Sequence, residues 1–332
     1  MRLLFFIPLF TLLLGQQPNK YLQGIDSREK NMDVTDRKYG DHNGNRIFNR
    51  FYNFGGIGDA GGSLSGIYPF GSGHSYFYEF TPVIAASVID TNGNRVHIVS
   101  DGAVGLKDNS PQGYQWGFEP LTGYANPNQE IMAMSDKDFT WPETWPNRDS
   151  DWDGFWNGQY GKYVRADQES YFVMDDYYND EFSHFPDSTD FDVVPKRRSG
   201  IGVELECRIY QWNHPAAEDI IIVTYWITNV GTSRLDSVIF GMYGDADIGS
   251  TNGDYTDDDA WFDVENDIVY QWDHDGWSNA DGGFKPVYFG WSFLESPGNP
   301  HDGIDNDDDG MIDESQFDGI DNDGDWLAER DD

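Results

Sequence analysis

The stretch Val203-Glu-Leu-Glu-Cys-Arg-Ile209 decides the fold class, because apolar and charged residues alternate along it. A period of two is typical of a β-strand with one buried face. Cys207 lies on the apolar side of this pattern, so we interpret it as a small core residue and not as a nucleophile. As the only cysteine of the chain, it also excludes an internal disulfide framework and a Cys-based zinc site. Residues 220–228 (IIIVTYWIT) follow as a continuous β-branched and aromatic run, which predicts another strand.

The same kind of pattern continues on both sides of this stretch. Residues 83–89 and 95–99 flank Asp90-Thr-Asn-Gly-Asn94, which predicts a β-hairpin. Residues 238–243 and 287–294 are further strand candidates, and segments of helical period are almost absent. We therefore predict a mainly β fold, with one or more β-sandwiches, long loops rich in Gly, Asp and Trp, and a loop-like Asp-rich calcium-binding repeat segment.

The N-terminus predicts the compartment. Met1-Arg2 precedes an apolar run over residues 3–14, and polar residues follow, as in a secretory signal peptide. The run is too short for a comfortable membrane span, and the alternative is a buried N-terminal helix. We expect a secreted protein, extracellular or at the cell surface, with no transmembrane span once the signal is removed. The predicted divisions are a signal peptide at 1–17, a polar lead-in at 18–45, a β-rich region with Gly- and Trp-rich loops at 46–192, a β-sandwich domain at 193–300 and Asp-rich calcium-binding repeats at 301–332.

The charge of the chain is strongly acidic and unevenly distributed. Its 332 residues hold 59 Asp and Glu against 21 Lys and Arg, a net charge of −38, which excludes a nucleic-acid binder. Asp outnumbers Glu by 45 to 14, so the acids belong mainly to turns and loops. Residues 236–332 alone carry 28 acids and 2 bases. The acidity is therefore concentrated in the last third of the chain.

An internal repeat accounts for much of this acidity. Residues 302–314 (DGIDNDDDGMIDE) recur sixteen residues later as residues 318–329 (DGIDNDGDWLAE). The Asp-x-Asp-x-Asp-Gly spacing places alternate carboxylates around one Ca²⁺, and the glycine permits the turn that closes the loop. The alternative is a solvated acidic linker. The predicted calcium ligands are Asp302, Asp305, Asp307, Asp309, Asp313 and Glu314 in the first copy, and Asp318, Asp321, Asp323, Asp325 and Glu329 in the second.

Two further acidic stretches are weaker metal-site candidates. Asp149, Asp151 and Asp153 repeat the opening of a calcium loop, although an ordinary acidic turn explains them as well. The acids that follow residues 238–243 could surround an ion between strand ends, or form a solvated loop. They are Asp245, Asp247, Asp254, Asp257, Asp258 and Asp259, with Asp273-His-Asp-Gly276 as a further member of the same patch.

The repeat also carries a resemblance to known sequences. The segment DGIDNDDDGMIDE resembles the Asp-rich metal-binding motif of secreted bacterial proteins, which is related to thrombospondin type 3 calcium repeats. Asp308 and Gly324 stand where that bacterial motif often has cysteine. Residues 66–73, the Trp-Pro-rich stretch from Trp141 and residues 295–300 are similar to the N-terminal region of large uncharacterised bacterial surface proteins. The resemblance implies a surface location and bound calcium but no activity, and it leads us to expect that the chain belongs to a longer protein.

Two functions follow from these patterns. The first is a secreted calcium-binding surface or matrix protein with a structural or adhesive role, in which Ca²⁺ stiffens the Asp-rich loops. The chain lacks a recognisable catalytic motif, which favours this non-enzymatic interpretation. The alternative is a carbohydrate-binding or glycoside-hydrolase-type protein that uses exposed Trp and paired carboxylates, with an extracellular polysaccharide or another surface protein as partner. Trp141, Trp145, Trp152 and Trp156 are candidates for such a surface, although burial in a core is the favoured interpretation of these rings.

Overall fold

A computed structural model describes residues 36–60, 65–90, 92–103, 117–177, 179, 199–231, 235–249, 256–264, 266 and 268–294, together with the backbone of residues 3–11. The fold is mainly β, with 44% strand, which confirms the predicted class. Helical structure in the described residues is of the 3₁₀ type, at Asp36 and in short turns at Asp138–Thr140, Ser150–Trp152 and Ala280–Gly282. The predicted calcium repeats at 301–332 lie outside the described residues.

Fourteen strands form within the described part of the chain. Each strand is numbered in chain order. They are β1 (Leu3–Thr11), β2 (Tyr39–His42), β3 (Asn49–Tyr52), β4 (Glu79–Ile89), β5 (Arg95–Asp101), β6 (Glu119–Pro120), β7 (Ala133–Met134), β8 (Gln168–Asp175), β9 (Val203–Gln211), β10 (Ile220–Asn229), β11 (Asp236–Asp245), β12 (Asp258–Asp263), β13 (Ile268–Asp273) and β14 (Tyr288–Ser292).

The strands form one large sheet and two small ones. The large sheet has nine strands in the order β12-β13-β14-β1-β10-β9-β8-β6, and β7 also pairs with β8. Its pairings are antiparallel, except that β1 runs parallel to both of its neighbours. A three-stranded sheet has the order β11-β4-β5, and β2 pairs with β3.

The patterns that predicted strands most clearly are confirmed. β9 and β10 pair antiparallel with Cys207 opposite Tyr225, and both side chains are buried. Burial raises the pKa of the Cys207 thiol well above its usual value, which keeps it protonated and unreactive. Cys207 is thus a core residue, as the alternation predicts.

The hairpin between β4 and β5 is also confirmed. The Asp90 carboxylate accepts hydrogen bonds from the backbone N–H groups of Asn92 and Asn94, at 2.8 and 2.7 Å. Gly93 closes the turn at a φ of +83°, a conformation in which a side chain would be strained. The strands leave the turn in register, with Ile89 opposite Arg95.

One large hydrophobic core joins the nine-stranded and three-stranded sheets. The Phe80 ring of β4 lies 5.3 Å from the Phe289 ring and 3.9 Å from the Trp291 ring of β14. At another point, Tyr225 of β10 meets Phe240 of β11 at 5.6 Å. The small sheet therefore packs against the large one through aromatic side chains, whose burial supplies much of the stabilising free energy.

A second, smaller core contains the Trp-rich stretch. Trp145 and Trp156 are buried in it, and the Trp156 indole N–H donates a 2.6 Å hydrogen bond to Glu169 Oε2. Trp141 and Trp152 pack against the same cluster and are partly buried. The favoured interpretation of these rings as core residues is confirmed for Trp145 and Trp156.

The predicted boundary between residues 192 and 193 does not separate two sheets. β8 pairs with β9, and β4 pairs with β11, so hydrogen-bonded ladders cross it twice. Long-range pairing of this kind leaves no local signal in composition. Residues 46–192 and 193–300 both contribute strands to the same sheets.

Leu3–Thr11, the apolar part of the predicted signal peptide, forms strand β1 of the large sheet. Among the described residues, no helix is long and apolar enough to span a membrane.

Candidate metal centre

Three aspartates meet where β13 ends and the chain enters β12. Asp257, Asp273 and Asp275 each offer a carboxylate oxygen, and these three oxygens lie within 4.8 Å of one another. The antiparallel pairing of β12 and β13 creates the site, because it places Asp258 directly opposite Asp273. Acids separated by sixteen residues in the sequence thus become neighbours.

A tight turn after β13 holds two of these carboxylates. The backbone N–H of Trp277 donates to Oδ1 of both Asp273 and Asp275, at 2.8 Å each. Gly276 adopts a φ of +73°, and its N–H donates to the Asp273 carbonyl oxygen at 3.2 Å. The sequence Asp-His-Asp-Gly therefore folds so that its two acids point to the same side of the turn.

The turn is also tied to the segment before β12. The backbone N–H of His274 donates a 3.2 Å hydrogen bond to the carbonyl oxygen of Asp257. This bond fixes Asp257 beside the turn, so the third carboxylate is positioned by the backbone.

Several oxygens in and beside this cluster are buried without a hydrogen-bond partner. Asp273 is only 3% exposed, and its Oδ2 has no partner. The same holds for Oδ1 of Asp257, Oδ1 of Asp258 and the side-chain oxygen of Gln271, two residues before Asp273 on the same face of β13. A buried unsatisfied polar atom is costly, and a buried unpaired charge more so. Water or a hard cation satisfies oxygens of this kind in proteins.

Burial perturbs the acidity of this region. It is the main reason that the pKa of Asp273 is raised, and the nearby charges of Asp257 and Asp275 raise it further. Burial likewise raises the pKa of Asp258 to about 7 and that of Asp247 to about 6. Without a counter-ion, the native protein disfavours the charged form of these carboxyl groups.

The described residues provide little positive charge for the cluster. None of Asp257, Asp258, Asp273 and Asp275 forms an ion pair with a lysine or arginine in the described part of the chain. The exposed ring of His274 turns instead to Asp259, whose Oδ2 lies 2.7 Å from Nδ1. That contact raises the pKa of His274.

The chemistry of the ligands favours a hard cation. The cluster offers carboxylate oxygens and no sulfur or ring nitrogen, which disfavours zinc. Calcium binds oxygens at roughly 2.3–2.6 Å, so ligands on opposite sides of the ion are separated by about 4.8 Å. Mg²⁺ requires oxygens at roughly 2.0–2.1 Å and a more compact arrangement. Oxygen separations within 4.8 Å suit either of these hard cations, so the geometry alone does not select Ca²⁺ over Mg²⁺.

The weaker calcium-loop candidate at Asp149, Asp151 and Asp153 has a different environment. Asp149 precedes the Ser150–Trp152 turn and Asp153 follows it. The Asp151 carboxylate is held by the Lys162 ammonium group at 2.7 Å. These acids do not converge in the described structure as Asp257, Asp273 and Asp275 do, and metal binding at this loop stays a prediction.

For the acids of this cluster, the sequence alone leaves two interpretations open, an ion site or a solvated loop. The signal that singles them out is Asp273-His-Asp-Gly276, a tight acidic turn at the end of a strand. Asp257 has no such signal, because only strand pairing brings it to the turn.

No protein-family model matches the chain, and neither the curated proteins nor the solved structures contain a significant match to it.

Proposed function

We propose that the protein is a secreted calcium-binding surface or matrix protein with a structural or adhesive role. One observation carries the calcium part of the proposal, namely the convergence of Asp257, Asp273 and Asp275 around buried carboxylate oxygens that lack partners. We further propose that the nine-stranded and three-stranded sheets are the two layers of a β-sandwich, since one core joins them. The predicted signal peptide supports secretion.

In this proposal Ca²⁺ acts as a structural cross-link at the edge of the large sheet. It joins the turn after β13 to the segment before β12, where mutual repulsion between carboxylates otherwise weakens the pairing. The two predicted loops at residues 302–329 would bind further ions by the same chemistry. Calcium is abundant outside cells, and weak extracellular sites with dissociation constants of roughly 0.1–1 mM suffice for a structural role.

Calcium is expected to stabilise the protein against heat. At a calcium concentration about ten times the dissociation constant, one site adds about 1.4 kcal/mol to the free energy of unfolding. For a chain of this size, that corresponds to a melting temperature higher by about 2 °C. Differential scanning calorimetry in Ca²⁺ and in chelator measures the shift, with equal Mg²⁺ as the control for ionic strength. Identical melting in Ca²⁺ and chelator would refute calcium binding.

Carbohydrate binding is a second candidate, because aromatic rings line up on the outer face of the β12-β13-β14 strands. Tyr270 and Trp272 lie two residues apart on β13, with ring centroids 5.5 Å apart. Tyr288 lies 5.8 Å from Trp272, and Trp261, 63% exposed, pairs with Tyr270 from β12. Aromatic rings on an open sheet face can stack on the apolar faces of sugars. This row, and not the buried Trp145 and Trp156, is the surface that favours the hypothesis.

Replacing Trp272 with alanine is expected to weaken glycan binding by about fivefold or more, since one aromatic contact contributes about 1 kcal/mol. Binding to a panel of neutral polysaccharides by affinity electrophoresis measures the effect. Phe139→Ala is the matched control, because Phe139 is an exposed aromatic residue away from this row. Equal loss in both variants, or no retention by any polysaccharide, would count against the glycan hypothesis.

A further inference from the structure

β1 occupies an unusual position in the large sheet. Residues 5–11 pair with β10, from Phe5 opposite Ile220 to Thr11 opposite Trp226. Residues 3–6 pair with β14, from Leu3 opposite Tyr288 to Phe6 opposite Trp291. Both pairings are parallel. The strand β1 is thus the link between β12-β13-β14 and the rest of the sheet.

Without β1, the sheet would contain a gap of one strand. Neighbouring strands lie about 4.8 Å apart, so β10 and β14 on either side of β1 are separated by about twice that distance. They cannot hydrogen-bond to each other across this gap, and both would present unpaired backbone groups. Such open edges are avoided in stable proteins because they recruit other strands.

The gap borders the hydrophobic core. Ile221, Val223 and Tyr225 of β10 are buried, as is Phe289 of β14. A strand in the gap therefore needs apolar residues, and residues 3–11 (LLFFIPLFT) are uncharged throughout. Pro8, which lacks a backbone N–H, lies beyond Phe6, the last residue paired with β14. On its other side Pro8 stands opposite Val223 of β10.

The segment that fills this gap is also the predicted signal peptide, whose removal would open the gap. We propose that the gap between β10 and β14 is a strand-acceptor site. Leu3–Thr11 fills it in the unprocessed chain, and an uncharged apolar strand of a partner protein takes its place, parallel to β10, once the signal is removed. This proposal rests on the secretion part of the proposed function and does not depend on calcium. Strand donation of this kind uses backbone hydrogen bonds for affinity and apolar side chains for specificity.

The chemistry of the gap defines the partner strand. Backbone groups of β10 over residues 220–226 and of β14 over residues 288–291 supply the donors and acceptors. The partner must therefore offer about seven to nine extended residues without charge, as Leu3–Thr11 does. A charged residue in its centre would lie against the core, at a cost that excludes binding.

The chain beginning at residue 18 provides the test, with a peptide of residues 3–11 carrying a C-terminal Lys tail as the probe. Hydrogen exchange by mass spectrometry is expected to show protection of β10 and β14 amides that rises by about tenfold or more when the peptide is added. The control peptide has the same sequence with N-methyl groups on alternate residues, which removes the donors and keeps the side chains. Folding of the shortened chain only in the presence of the unmodified peptide would also support the proposal.

Three results would overturn it. One is that the backbone amides of β10 and β14 are protected equally with the unmodified peptide, with the N-methylated peptide and without any peptide. A second is self-association of the shortened chain that protects the same amides, because it assigns the gap to a second copy. The third is a shortened chain that does not fold with either peptide. The calcium-site variant Asp273→Asn should bind the peptide unchanged, so failure of the calcium proposal and failure of this one are distinguishable.

A cross-link in the unprocessed chain tests the register independently. Ile7 lies opposite Ile222, so the double variant Ile7→Cys/Ile222→Cys should form a disulfide on mild oxidation, since paired residues on adjacent strands lie within disulfide range. The control is Ile7→Cys/Val223→Cys, in which the second side chain points to the opposite face. Equal cross-linking in both variants would show that β1 does not occupy the gap in this register.

Discussion

Replacing Asp273 with asparagine is expected to weaken calcium binding at the cluster of Asp257, Asp273 and Asp275 by about tenfold or more. The same substitution is expected to change the stability of the protein in opposite directions in Ca²⁺ and in chelator. Asparagine keeps the side-chain oxygen that accepts the Trp277 N–H and removes the negative charge. In Ca²⁺ the variant should be less stable than the natural chain, because the ion loses a charged ligand. In chelator it should be more stable, because a buried carboxylate with an unpartnered oxygen is gone.

This crossover separates a metal ligand from an ordinary buried acid. A residue that merely packs would shift the free energy of unfolding in the same direction under both conditions. Urea unfolding in Ca²⁺ and in chelator, together with calorimetric titration of Ca²⁺, measures both parts of the prediction. Two-state behaviour must hold for the free energies to be comparable.

Asp259→Asn is the matched control. Asp259 neighbours the cluster but lies on the other face of β12 from Asp258, and its carboxylate contacts His274. Its replacement should leave calcium affinity within about twofold, as expected for a more distant, solvent-screened charge. A similar loss of affinity in both variants would mean that calcium responds to overall charge, and the assignment of Asp273 as a ligand would fail. The predicted sites at residues 302–329 remain intact in both variants, so their contribution to calcium binding is the same in both and does not affect the comparison.

Local patterns explain which parts of the fold were predictable. The alternation around Cys207 and the Asn-Gly turn after Ile89 depend on residues adjacent in the chain, and both elements are confirmed. The sheet order depends on pairings between distant strands, such as β4 with β11. Those pairings are decided by which apolar faces meet in the core, and no local period encodes them.

The candidate site was only partly predictable for the same reason. The turn Asp273-His-Asp-Gly276 is visible in the sequence, but Asp257 joins it only because Asp258 pairs with Asp273. The acidic composition of the region made every Asp an equal candidate. Burial distinguishes them, since Asp273 is enclosed whereas Asp275 is exposed, and burial is a property of the assembled sheet.

The calcium-free protein should become less stable as the pH rises from about 5 to about 7.5, through the carboxyl groups beside the cluster. The pKa of Asp247 is raised to about 6 and that of Asp258 to about 7, mainly by burial. A raised native pKa means that the native state binds more protons than the unfolded state in this range. The stabilisation is complete below the unfolded pKa near 4 and is lost as these groups ionise. After allowance for solvent screening, the free energy of unfolding falls by on the order of 1–2 kcal/mol over this pH range.

Saturating Ca²⁺ should reverse this slope, because a cation bound at Asp257, Asp273 and Asp275 favours the ionised form of the carboxyl groups beside them and releases protons. Urea unfolding at a series of pH values, in chelator and in Ca²⁺, measures both slopes. Asp258→Asn should flatten the dependence of the free energy of unfolding on pH in chelator. His274→Gln measures how much of that dependence comes from the exposed histidine, whose raised pKa acts in the same direction. If the slopes in chelator and in Ca²⁺ coincide, the buried carboxyl groups and the cation are not linked. The difference between the slopes in chelator and in Ca²⁺ therefore shows whether the acidic residues of this region are solvated surface charges or bind an ion.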